Sequence, residues 1–170
     1  MQLQEKIGMW MLNIIIYYMI HYKCEIEEGI KYGLNTFSTL VFGILNHPKS
    51  WGIRFIESEN QDITIILSKG NTVKEICNLT GLSCANARDS IIYININRWL
   101  KGSKRSGLNL DDYRTYLILH EMGHILGLSH LPVIKCKKVP VMNQSTLGLK
   151  GGLPNQYPLK YEKELLRQIK

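Results

Sequence analysis

The chain has 170 residues, 45% of them hydrophobic and 21% charged, with a formal net charge of +7 at pH 7. That length holds one domain with a sizeable core, and the composition excludes collagen-like, low-complexity and charge-expanded disordered chains. The positive charge comes without a nucleic-acid-binding motif, so it reads as solubility and no nucleic-acid partner is expected. The basic loops Lys101, Lys104, Arg105 and Lys135, Lys137, Lys138 would favour acidic substrates or an anionic surface.

Residues 1–16 read as a leader of undecided role. Met9 to Ile20 is apolar apart from Asn13, but too short to span a bilayer, so no membrane span is expected. Its length suits a signal-peptide core, yet no small-x-small cleavage site follows. From Tyr18 the pattern alternates, with Tyr18, Ile20, Tyr22, Cys24 and Ile26 on one face, and this predicts a half-buried strand over residues 17–27. Phe37, Leu40, Val41, Ile44 and Leu45 follow helical spacing, and Pro48 closes that helix. Ile53 to Ile56 and Asp62 to Leu67 read as strands. Thr72-Val73-Lys74-Glu75 has the form of a capping box and predicts a short helix start.

Cys77 and Cys84 lie seven apart around Thr80-Gly81, a spacing that permits a small disulfide loop; if they pair, the protein matures in an oxidising compartment. Cys24 and Cys136 have no evident partners. Ser90 to Ile96 reads as a strand rich in Ile. Asn109 or Asp111 caps a helix running to about Leu126, and Tyr161 to Ile169 forms a closing helix with Leu165, Leu166 and Ile169 inward. Mixed strands and helices in this order give an α+β fold in a single domain over residues 1–170, expected to be a monomer.

The helix after Asp111 carries His120-Glu121-Met122-Gly123-His124-Ile125-Leu126-Gly127-Leu128-Ser129-His130, the pattern H-E-x-x-H-x-x-G-x-x-H with every specified position filled. His120 and His124, four apart, share one helix face and can reach one zinc ion at roughly 2.0–2.1 Å. Glu121 is rotated about 100° from His120, so it can touch a metal-bound water without being a ligand. A straight helix would carry His130 roughly 9 Å beyond His124. The helix must therefore stop, and Gly127 supplies the stop through a left-handed conformation. Three protein ligands leave a fourth position for water, the mark of a catalytic zinc site.

This pattern resembles the metzincin metallopeptidases. The resemblance implies a metzincin-like zincin fold: a twisted mixed sheet with a backing helix and the active-site helix, then a short C-terminal subdomain with a Met-turn and the closing helix. A cleft would divide residues 17–130 from residues 131–170. Met142, in Val139-Pro140-Val141-Met142-Asn143-Gln144, takes the place of the Met-turn residue, and Gln144 stands where some metzincins carry a Tyr. Leu131 departs from the Ser or Asp of the matrixin and adamalysin branches. Ser50-Trp51-Gly52, Cys77 with Cys84, Asn97-Arg98-Trp99, Leu110 to Tyr116, Pro140 to Ser145, Gly151-Gly152 and Pro154-Asn155 look like an uncharacterised metzincin-like family best known from secreted actinobacterial proteins. The likeness covers about residues 17–160 and implies a secreted or extracytoplasmic protein. Those relatives place a Cys after the Gly-Gly pair; here Leu153 stands there, which leaves Cys136 as a free thiol, expected to be accessible and not a zinc ligand.

The expected function is hydrolysis of internal bonds in peptide or protein substrates by one catalytic zinc, held by His120, His124 and His130, with Glu121 as general base. Two alternatives stay open. One is a non-peptidase zinc hydrolase, or a gluzincin-like enzyme with Glu162 or Glu164 as third ligand. The other is a non-catalytic zinc-binding module that recognises an acidic partner.

Overall fold

The computed structural model describes residues 19–169. The leader expected over residues 1–16, and the first residues of the expected strand, lie outside the described residues. Five strands form one sheet: β1 (Met19–Ile26), β2 (Arg54–Glu57), β3 (Ile63–Ser68), β4 (Cys84–Asn86) and β5 (Ile91–Asn95), in the order β2-β1-β3-β5-β4. All neighbours are parallel except β4, which runs antiparallel to β5 at the edge. Alternation puts Cys24, Ile65 and Ile92 opposite one another in register, with Leu67 opposite Ile94 in the next row. These side chains are buried and share one face, because residues paired across a sheet point the same way.

Onto that face pack helix α1 (Leu34–Leu45), through Phe37, Val41 and Leu45, and the long helix α4 (Leu110–Ile125). Between them in sequence lie α2 (Gly70–Cys77) and α3 (Ile96–Lys101). Phe37 meets Trp99 of α3 edge to face, with ring centroids 5.0 Å apart. Each such buried side chain contributes about 1.5–3 kcal/mol by leaving water. Asn46 just after α1 ties the helix to the sheet: its amide donates to Phe55 O at 3.1 Å and its carbonyl accepts from Phe55 N at 3.0 Å. Helix α4 is buried on nearly every side from Tyr113 to Gly123, because the segment after His130 covers the face turned away from the sheet. The chain closes with α5 (Lys160–Ile169). The fold is α+β, and among the described residues no helix is long and apolar enough to cross a membrane.

Several local expectations are corrected. The capping box at Thr72 does not form, because α2 starts earlier with Lys69 as N-cap. Glu27, just past β1, takes both available donors instead, accepting from Thr72 Oγ1 at 2.9 Å and Lys69 N at 2.8 Å. The strand at Ser90–Ile96 ends at Asn95, whose side chain caps α3 by accepting from Asn97 N at 3.0 Å. In α1, Leu40 is exposed. In α5 the buried positions are Glu162 and Leu166, whereas Leu165 and Ile169 are 36% and 55% exposed. Of the three residues expected inward only Leu166 is buried; it shares the buried face with Glu162, four residues before it, and Leu165 and Ile169 are turned out.

Candidate metal centre

Helix α4 begins on Asn109, whose side chain accepts from Asp112 N at 2.9 Å, and Asp111 and Asp112 add negative charge at its positive end. It ends in two bonds, Gly127 N to His124 O at 3.0 Å and Leu128 N to Gly123 O at 2.9 Å. Gly127, at φ +98°, supplies the left-handed residue that this Schellman stop requires. The reversal at once serves the site, for Leu128 O accepts a hydrogen bond from His124 Nδ1 at 2.8 Å.

His120 Nδ1 meets Val141 O at 2.7 Å. A carbonyl only accepts, so both Nδ1 atoms carry the proton and both Nε2 atoms keep a lone pair for a metal. His130 returns beyond the turn to put its Nε2 3.1 Å from His124 Nε2. One ligand nitrogen from each of His120, His124 and His130 lies within 4.8 Å of the others. Two nitrogens on one tetrahedral ion at about 2.0–2.1 Å stand about 3.3 Å apart, a spacing the His124–His130 pair matches, and the three residues together could hold such an ion. Burial holds His120 down to about 3 and lowers His124 and His130 as well, leaving three neutral imidazoles at pH 7.

Glu121 is buried, and no hydrogen bond ties its carboxylate down among the described residues. Burial alone pushes it up to about 8. It opens, with the three histidines, onto a cleft of about 310 Å³. The opposite wall is β4 with the loop before it, from Leu79 to Ala85, closed by the Cys77–Cys84 disulfide. Gln144, Thr146 and Leu147 close the third side. Tyr113 and Thr146 hydroxyls, 2.8 Å apart, hold that side against α4.

Over residues 14–160 the chain matches DUF3152, described as a protein of unknown function. The chain belongs to the DUF3152 family. No curated protein matches it significantly. A chain of the solved structure titled "GM1 bound form of the ECX AB5 holotoxin" is similar in fold, at 16% identity and a TM-score of 0.53, over 92% of this chain and 81% of that one. At that identity the likeness concerns the fold alone.

In this DUF3152 chain Met142 is fully buried against α4. A Cβ at Gly123 would overlap Met142 Sδ and stand 2.9 Å from Trp51 Cζ2. Gly123 is thus the gap in α4 through which the thioether reaches the helix backbone. Trp51 is fixed there by its indole N–H, which donates to Leu119 O at 3.1 Å. Tyr116 pins the following turn, donating to Asn143 O at 2.9 Å and accepting from Ser145 N at 3.0 Å.

The other candidates lie elsewhere. Both oxygens of Glu162 are engaged by backbone N–H groups of Val141, Met142 and Leu159, so it is not with the histidines. Glu164 faces Lys160 at 3.9 Å on the outside of α5. Cys136 is free and exposed, outside the ligand cluster. Sequence reasoning did not find the supporting carbonyls of Leu128 and Val141, the β4 wall, or Glu162 in its supporting place. Glu162 alone left a trace, as the third residue of α5, where a carboxylate can reach back to the N-cap amide.

Proposed function

We propose that this chain is a zinc-dependent metalloendopeptidase of the metzincin type. One observation carries the reading: three neutral imidazoles converge through their free nitrogens beside an untethered buried carboxylate, at the floor of an open cleft. His120, His124 and His130 would hold the metal. Bound there, zinc supplies a Lewis acid and brings the pKa of water towards about 7.

The rest of the chemistry belongs to the chain. Glu121 takes a proton from the attacking water as its oxygen bonds to the substrate carbonyl carbon. The same carboxyl returns that proton to the amine nitrogen as the C–N bond breaks. Edge strand β4 pairs with β5 on one side, and no described strand occupies the other. Cys84 and Ala85 of this strand line the cleft, where an extended peptide would add as a further strand. Met142, under the helix, fits the Met-turn of that group, with no polar atom to compete for the metal.

The test is a digest of an unbiased peptide library with and without chelator, by the parent and by Glu121→Ala. The parent should cut internal bonds in a chelator-sensitive way. Glu121→Ala should keep stoichiometric zinc and lose at least 10²-fold in turnover, the usual scale for general base catalysis. Zinc bound with no cleavage of any peptide by the parent would instead favour a recognition module. Zinc lost in Glu121→Ala would remove the proposed role of that residue.

A further inference from the structure

Glu162 is 0% exposed, yet no cation lies against it among the described salt bridges. Its Oε2 accepts from Val141 N at 3.0 Å and Leu159 N at 2.8 Å, and its Oε1 accepts from Met142 N at 2.9 Å. Three N–H donors on two oxygens suit a carboxylate, which only accepts. The bond to Leu159 caps α5, and the other two reach a different part of the chain. Met142 N–H and Val141 C=O are the two ends of one peptide group. The oxygen of that group takes the hydrogen bond from His120 Nδ1 at 2.7 Å. Carboxylate, peptide and imidazole therefore form one continuous chain that ends on a metal-binding nitrogen.

A negative charge on the N–H of an amide pushes electron density onto its oxygen, and linked hydrogen bonds strengthen one another by about 10–30%. A better acceptor at Nδ1 fixes the ring and makes Nε2 a stronger donor to a metal. The other ligands lack this support. His124 Nδ1 also meets a carbonyl, Leu128 O, but no described side chain accepts from the amide N–H on the far end of that peptide. We propose that Glu162 is a positioning residue of the metal centre, acting on His120 through the Val141–Met142 peptide; this rests on the histidine cluster being a metal site.

The experiment compares zinc affinity, by chelator competition, in the parent, Glu162→Gln, Glu162→Asp and Leu166→Ala. Leu166 is buried on the same helix, so its truncation loosens α5 without touching the chain of bonds. Glu162→Gln should lower zinc affinity about 10–100-fold, the range for ligand-orienting groups. Glu162→Asp, which keeps the charge, should fall between it and the parent. Leu166→Ala should melt lower yet bind zinc as the parent does. In the metal-free protein the His120 Nδ1 proton resonance should move upfield in Glu162→Gln and stay in Leu166→Ala. Parental affinity in Glu162→Gln, or an equal loss in Leu166→Ala, overturns the proposal. If Glu162→Gln does not fold, Glu162→Asp against Leu166→Ala makes the same decision. A parent that binds no zinc overturns the metal-centre reading, and this inference with it.

Discussion

Gly123 shows how a single missing carbon shapes the site. The α4 backbone there lies against Met142 Sδ and the Trp51 ring, leaving no volume for a methyl group. Gly123→Ala should therefore destabilise the protein by about 1–3 kcal/mol, the usual cost of overpacking, despite the better helix propensity of Ala. Adding Met142→Ala should recover part of the loss in a thermal melt, since the two positions share one space. Additive losses would mean that the overlap is relieved elsewhere. The neighbouring titratable groups make a second residue-scale prediction. His120 is held at about 3 against an ordinary 6.5, so its contribution is present above 6.5 and lost as pH falls towards 3. Glu121 runs the other way. Its metal-free value of about 8 lies above the ordinary 4.5, so stability is greatest below 4.5 and is lost as pH rises through 8. Metal-free Glu121→Gln should therefore melt higher than the metal-free parent at pH 8.5, with the gap closing at pH 5. An equal gap at both pH values would show that burial of the charge is not what costs stability.

Among the elements, legibility followed periodicity. β1 and α1 repeat their apolar residues over eight or more positions, and α4 carries an N-cap and a spaced histidine motif; all three were readable within a few residues of their observed bounds. The histidines were legible for a related reason, because a helix turn and a Gly stop have fixed spacing. β4 was not readable, since three residues hold no period. The Thr72 cap and the inward face of α5 were misread because two carboxylates with partners far along the chain, Glu27 and Glu162, decide them, and no local pattern announces a tertiary partner. β4 also depends on a covalent tie. Cys84 is its first residue and pairs with Cys77 at the end of α2. Replacing both by Ser should cost about 2 kcal/mol, the scale for closing a short loop. Because that loop walls the cleft rather than the histidines, zinc content should hold while peptide cleavage falls. A double variant that cleaves like the parent would remove the loop from substrate binding.

At the scale of the whole molecule, the exposed basic loops lie outside the histidine cluster, and the sheet ends at the cleft in a short antiparallel strand. That last feature restricts what the protein could digest. A guest joining β4 must lend its own amide hydrogens to the ladder, so it must arrive unwound. Helices and paired strands of a native protein cannot comply, and proline has no hydrogen to lend. Cleavage sites should accordingly fall in loops, chain ends and denatured proteins, with proline missing from the positions flanking the cut that lie along β4. A map of cut sites across one protein, folded and then heat-denatured, would display that preference as a sharp rise in the number of cuts.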